Sequence, residues 1–247
     1  MDRLIYTAMS GASHTLKQQA TVAQNLASVN TPGYRAAVNA FRAVPLVGEG
    51  LPTRAFVVDS TTGADFSQGS MQATGRNLDM AVLGKGWIAV QMENGSEAYT
   101  RNGSFQISPE GILRTLNGLN VAGDDGFITI PPNTEVTVAK DGTISTILRG
   151  QIPNQVEVIG RIKLVNPAED QMVRGDDGLF RTKDDKPVIA DIGVTIASGN
   201  LESSNVNVVE GMVTMISLAR QFDMQMKVLQ SADENSRQAS QLLNMNA

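Results

Sequence analysis

The chain has 247 residues, with 20 Lys and Arg against 25 Asp and Glu, and a formal net charge of −5. That is enough chain for one large domain or two modest ones with a real core, and no basic excess exists to neutralise nucleic-acid phosphates. There are no cysteines, which excludes disulfides, thiol nucleophiles and Cys-ligated zinc, and no run approaches the roughly 18 apolar residues of a membrane span.

At the N-terminus Ile5, Met9, Ala12, Leu16, Gln19, Ala23 and Leu26 alternate steps of four and three residues, which places them on one helix face. Asp2 in or beside the first turn suits the helix dipole. Pro32 disfavours helical backbone at Thr31, and Gly33 permits positive φ, so the helix is expected to end near residue 30. A helix of about 26 residues spans roughly 40 Å. Polar residues interrupt the apolar positions too often for a secretory signal, so any export is expected to use no cleaved Sec peptide.

Residues 36–78 are rich in Pro, Gly and Ser, with "RAFVV" as the one plausible strand, and read as an extended arm. The period then changes to two. "GWIAVQM" (86–92), "TEVTVAK" (134–140) and "QVEVIGRIKLV" (155–165) are apolar or alternating and rich in β-branched residues, as strands are. Turn signals punctuate this zone, among them Asn94-Gly95, Asp124-Asp125-Gly126, Asp141-Gly142 and Asp176-Asp177-Gly178. "FQISPEGIL" and "VTVAKDGTI" echo each other as strand, acid-Gly turn and returning strand. The zone reads as antiparallel hairpins.

The C-terminal stretch repeats the first pattern more strongly. Val208, Met212, Met215, Ala219, Phe222, Met226 and Leu229 hold the heptad spacing; Asp233 and Ser236 break it, and Leu243 returns to it. Asn205 or Asn207 is the expected cap of one helix running from about 206 to 244. Seven apolar positions on a lone helix are too many to leave in water, at roughly 1.5–3 kcal/mol per fully buried large side chain. The expected fold class is therefore α+β. N- and C-terminal helices pair as a coiled-coil stalk, and a central antiparallel β-rich domain is inserted between them. The expected division is 1–35 and 201–247 for the terminal helical domain, 36–78 for the linker arm and 79–200 for the β-rich outer domain. A two-helix hairpin with Ala and Gln in its seam is marginal alone, so neighbouring chains are expected to support it. Met212, Met215, Met224 and Met226 on one helix fit either ordinary packing or an adaptable contact surface.

No catalytic constellation stands out. His14 is the only histidine and lies off the apolar stripe, where a solvent-facing position is expected. It has no G-x-S-x-G partner, and one histidine excludes His-rich zinc sites. The Asp-Asp-Gly pairs do not continue into a calcium loop and read as hairpin turns. Gly84-Lys85-Gly86 lacks phosphate-loop spacing, and no spacing selects a glycosidase carboxylate pair. No metal, cofactor or catalytic residue is expected.

The stretch "NLASVNTPGYR" resembles the N-terminal signature of flagellar rod and hook axial proteins. Asn25, Leu26, Ala27, Thr31, Pro32, Gly33 and Tyr34 match it, while Ser28 departs from the usual Asn. "GRNLDMAVLGKGWIAVQ" and "EAYTRNGSFQISPEGIL" are similar to the family's central domain, and "LESSNVNVVEGMVTMISLARQFDMQMKVLQSADE" to its C-terminal helix. "MDRLIYTAMSGA", "LPTRAF", "RQFDMQMKV" and Trp87 resemble the proximal-rod branch more than the distal-rod branch. The resemblance implies a non-enzymatic building block of the flagellar basal-body rod. It implies export through the flagellar type III apparatus and assembly in the periplasm with copies of itself, proximal-rod neighbours and the distal rod protein. It carries no cofactor, nucleic acid or membrane span. The residues expected at the assembly interface are Ile5, Met9, Ala12, Leu16, Ala23 and Leu26 with Val208, Met212, Met215, Ala219, Phe222, Met226 and Leu229. A distal-rod or hook paralogue is the nearest alternative, and a secreted cell-wall hydrolase acting through the β domain is the alternative of a different class.

Overall fold

A computed structural model of the chain describes residues 2–45, 55–148 and 156–244. Leu51–Arg54 of "LPTRAF" and Gln155 lie outside these residues. The fold is α+β, with a helix at each end of the chain and a β-rich middle. The chain divides into two compact units: Met1–Ala27, Ala37–Ala64 and Val206–Ala247 form a helical unit, and Ser28–Ala36 with Asp65–Asn205 form a β unit.

The helical unit contains α1 (Asp2–Ala27) and α2 (Val208–Asn244). The helices are antiparallel neighbours: Gly11 faces Gln225, while Leu26 lies against Gly211 near the start of α2. Of the two candidate caps, Asn207 takes the role. Its Oδ1 accepts from Val209 N at 3.1 Å and Glu210 N at 3.3 Å, meeting two donors that the first turn leaves unpaired.

Where an extended arm is expected, β1 (Ala37–Pro45) and β2 (Ala55–Ala64) pair as an antiparallel hairpin. The register slips between Ala40 and Phe41. Ala40 pairs with Thr61 and Phe41 with Asp59, so the extra residue is Ser60 on β2, while β1 keeps its alternation through the slip. The hairpin is tied to α1 by side chains. Asn25 donates Nδ2 to Ala37 O at 2.9 Å and accepts Ala37 N on Oδ1 at 2.8 Å. Asn39 Nδ2 donates to Thr21 Oγ1 at 2.7 Å. Phe41 meets His14 edge-on, with centroids 5.7 Å apart, so His14 is half-buried rather than solvent-facing.

In the β unit a nine-stranded antiparallel sheet is centred on β5 (Trp87–Gln91). It runs in the order 172–174, 180–182, 97–100, 87–91, 120–123, 113–115, 105–107, with 126–127 and 164–165 added beside it. A three-stranded sheet follows at 134–138, 143–148 and 157–161. Strands 195–198 and 200–202 return to pair with β4 (Met80–Leu83) and β3 (Met71–Ala73). The core packs Met80, Val82, Ile88, Phe105, Leu113 and Val121 against Ile144, Ile162, Leu164 and Ile196. The two echoed segments form hairpins whose turns close on Gly111 and Gly142. The Asp-Asp-Gly pairs are turns too. Gly178 has φ 79°, and Asp177 accepts Leu179 N at 3.1 Å while pairing with Arg181, so its carboxylate is engaged locally.

Tyr99 lies in the sheet, 1% exposed. Its hydroxyl accepts from Val188 N at 2.9 Å and donates to Glu97 Oε2 at 3.3 Å. Burial pushes the hydroxyl up to about 12 from its ordinary 10.0, with the Glu97 charge adding and the Val188 N–H opposing. The raised value favours the protonated, folded form. That contribution is whole below pH 10.0 and is lost as pH rises through about 12, because the unfolded chain ionises first. In an alkaline titration followed by phenolate absorbance, one of the three tyrosines should ionise near 12. Tyr99→Phe should remove that late step and flatten the loss of stability between the two values.

Candidate assembly interface

The stretch after α1 belongs to the β unit and is turned by two backbone bonds, Thr31 N to Ser28 O at 3.0 Å and Tyr34 N to Thr31 O at 3.3 Å. Gly33 has φ +68° and donates its N–H to Glu202 O at 2.7 Å. A Cβ on Gly33 would overlap the backbone joining Arg101 to Asn102, so both the left-handed backbone and the close approach require glycine. Tyr34 is buried beneath Arg174, whose guanidinium carbon lies 4.4 Å from the ring centre.

Arg35 follows and is 2% exposed; Glu202 is fully buried. Arg35 Nη1 lies 2.7 Å from Glu202 Oε1 and donates to Ser67 O at 2.6 Å. Glu202 Oε1 also accepts Gly69 N at 3.0 Å, and Oε2 lies 3.5 Å from Arg101 Nε. Arg101 donates to Val82 O and Gly84 O at 3.3 and 2.6 Å. Burial pulls the Arg101 guanidinium down to about 10, Glu202 opposing the shift and Arg35 adding to it. Beside this cluster Asn205 accepts Ala36 N on Oδ1 at 2.7 Å and donates Nδ2 to Asp65 O at 2.9 Å, while Asp65 N donates to Ala36 O at 2.8 Å. Ala36, Asp65 and Asn205 each stand at a boundary of the β unit, and they are bonded to one another. Three separate sequence signatures, Thr-Pro-Gly-Tyr-Arg, Tyr-Thr-Arg and Leu-Glu-Ser-Ser-Asn, therefore meet at one buried knot. Sequence reasoning noted all three signatures without joining them. The available signal was that two end in Arg and the third contains Glu.

Five of the thirteen expected positions lie exposed. On α1, Ile5 and Leu26 are half-buried and Ala12 is buried, but Met9 (55%), Leu16 (49%) and Ala23 are exposed. Ala8, Thr15 and Val22 take the inward places. On α2, Val208, Met215, Ala219, Phe222 and Leu229 are half-buried, whereas Met212 (51%) and Met226 are exposed; Gly211, Leu218, Gln225 and Ala232 turn inward. Small residues decide this, because helices come closest where side chains are smallest. Gly11 admits Gln225, whose Oε1 accepts from Thr15 Oγ1 at 3.2 Å. Of the signature residues, Leu26 meets Gly211, Asn25 holds the hairpin, Ala27 and Thr31 are exposed, and Pro32 is half-buried.

The outward positions form lines of their own. Tyr6, Met9, Leu16, Ala20, Ala23 and Ala27 run along one exposed face of α1. Val209, Met212, Val213 and Ile216 stand at i, i+3, i+4 and i+7 on an exposed face of α2. Among the described residues no helix is long and apolar enough to cross a membrane, and no group of three or more His, Asp or Glu is placed to hold a metal.

These features define a class: a protein whose two chain ends fold together as a helical unit, with an antiparallel β unit inserted between them and apolar helix faces left open. Comparison with known proteins gives the family. A family model described as flagella basal body rod protein matches residues 5–35, one described as flagellar hook protein FlgE/F/G D1 domain matches 81–146, and one described as flagellar basal body rod FlgEFG protein C-terminal matches 197–242. The chain is 51% identical to the flagellar basal-body rod protein FlgF of Escherichia coli, covering 99% of this chain and 100% of the relative. It is 49% identical to the Salmonella typhimurium FlgF over the same shares. It is 29% identical to the flagellar basal-body rod protein FlgG of Buchnera aphidicola, over 90% and 92% of the two chains. The chain belongs to the flagellar basal-body rod protein family.

Removing one partner of a buried ion pair costs about 3–5 kcal/mol, since the other charge stays buried alone. Glu202→Ala should therefore lower the denaturant midpoint strongly, and by more than Arg35→Met, because it strands both Arg35 and Arg101 whereas Arg35→Met leaves Glu202 beside Arg101. Equilibrium unfolding of the two variants checks this ordering.

Proposed function

We propose that this chain is a structural, non-enzymatic subunit of the proximal rod of the bacterial flagellar basal body. It assembles with copies of itself and with other rod proteins, the distal rod protein among them. Full-length identity of 51% to a rod protein named FlgF, against 29% to one named FlgG, supports the proximal branch over its paralogue. The helices act as a coiled-coil stalk, and the chain travels through the flagellar type III apparatus, without a cleaved signal, to work in the periplasm.

The observation that carries the reading is the pair of open apolar faces. Each helix uses one stripe inside the chain and leaves a second in water, Tyr6 to Ala27 on α1 and Val209 to Ile216 on α2. A monomer gains nothing from the second stripe, whereas neighbours packed side by side bury it, at roughly 25 cal/mol per Å² of apolar surface. Met9, Met212 and Met226 lie on the open faces, where a flexible thioether adapts to unlike neighbours. The stripes expected from heptad spacing thus divide into an internal half and an outward half, and both contribute to the rod wall that transmits torque.

Leu16→Asp and Ile216→Asp test the reading. Both sites are exposed, so monomer stability should change by no more than about 0.5 kcal/mol. Rod assembly, read as swimming restored to cells lacking the native gene, should be lost. Leu218→Ala is the converse control: its side chain is 7% exposed, and truncation should cost about 2–5 kcal/mol of monomer stability. Normal swimming with both Asp variants would sink the proposal.

A further inference from the structure

The β unit holds a cavity of about 670 Å³ that the rod reading does not use. Phe66, Trp87 and Pro167 form its apolar wall; Arg35, Arg101 and Lys85 bring cations to it. Trp87 and Phe66 meet edge-on with centroids 6.0 Å apart, and the Arg101 guanidinium carbon lies 5.8 Å from the indole centre.

Cations and carboxylates meet the cavity at two depths. Lys85 pairs with Glu169 at 2.9 Å across the exposed rim. Asp65, the other lining acid, is exposed, and its oxygens accept from Ser67 N and Ser67 Oγ at 2.9 and 2.8 Å. Deeper in, two guanidiniums share the single buried carboxylate of Glu202. Arg35 Nε and Glu202 Oε2 are both buried without a hydrogen-bond partner. Two guanidiniums against one buried carboxylate leave a positive charge at the back of the cavity, and an ionised acceptor is the group that matches it.

We propose that this cavity is a binding site for a carboxylate carried on a short apolar stem, the stem lying along Trp87 and Phe66 and the carboxylate turned towards Arg35 and Arg101. That chemistry belongs equally to a free small carboxylate and to an acidic side chain presented by another copy of the chain. The site stands independently of the rod assignment.

Trp87 is the only tryptophan, so its emission reports the cavity directly. The full-length chain is titrated with acetyl-Glu-NH₂ at constant ionic strength, with acetyl-Gln-NH₂ and sodium chloride as controls. A saturable emission change is expected with acetyl-Glu-NH₂, with apparent affinity about tenfold above that of the glutamine analogue, the equivalent of one charge-assisted hydrogen bond. Gln68→Phe and Ala168→Phe, at exposed lining positions, should block the response while leaving the circular dichroism unchanged. Arg35→Lys, which keeps the charge but removes the planar guanidinium fork, should weaken it about tenfold. A self-association that changes Trp87 emission as protein concentration rises, and that acetyl-Glu-NH₂ reverses, identifies a second copy as the source of the carboxylate. Emission independent of protein concentration identifies a free carboxylate. Equal responses to all three solutes, or a response untouched by both Phe variants, would overturn the proposal.

Discussion

The ion pair between Arg35 and Glu202 is the constraint on which much of the molecule depends. It joins a residue just past the first helix to one just before the last, 2.7 Å apart and almost wholly out of water. A buried pair of this kind is weak evidence for net stability, because desolvation offsets most of the attraction. Its value is specificity: any other pairing of these segments would leave a guanidinium or a carboxylate buried alone. Gly33, Gly69 and Asn205 bring backbone groups to the same place, so the chain is held there by donors and acceptors rather than by apolar area.

That arrangement explains why the Thr-Pro-Gly corner takes its form. Pro32 and Gly33 stop helical backbone, but many sequences would do so. What narrows the choice is that Gly33 must donate to Glu202 O while passing against Arg101 without a side chain. The three motifs are thus one structural feature written in three places.

The helical unit follows a different logic. Its internal contact is made where residues are small, at Gly11, Ala12, Thr15, Gly211 and Ala232, and larger residues such as Met9, Leu16, Met212 and Ile216 remain outside. An axial subunit has reason to keep its bulkier apolar residues for its neighbours, because the energy of assembly must come from surface that is still in water beforehand.

The sequence by itself determined the α+β class, both helices, the cap choice down to two asparagines, the Asp-Gly turns and the family. These rest on local rules: periodicity, capping, the conformational limits of Pro and Gly, and contiguous motifs. It pointed to a strand only at "RAFVV" and did not determine the β1–β2 pairing, because register across a pair with an extra residue, Ser60, is set by both strands together and not by either segment alone. Nor did it determine which half of each stripe turns inward. Ala8, Thr15 and Val22 keep the same seven-residue spacing as Met9, Leu16 and Ala23 about 100° round the helix, so spacing alone does not choose the inward stripe. Only the close approach of Gly11 to Gln225 chooses between them. The meeting of Arg35, Arg101 and Glu202 was beyond sequence reasoning for the same cause. Burial and pairing across more than 160 residues are properties of the folded chain, and no local pattern encodes them.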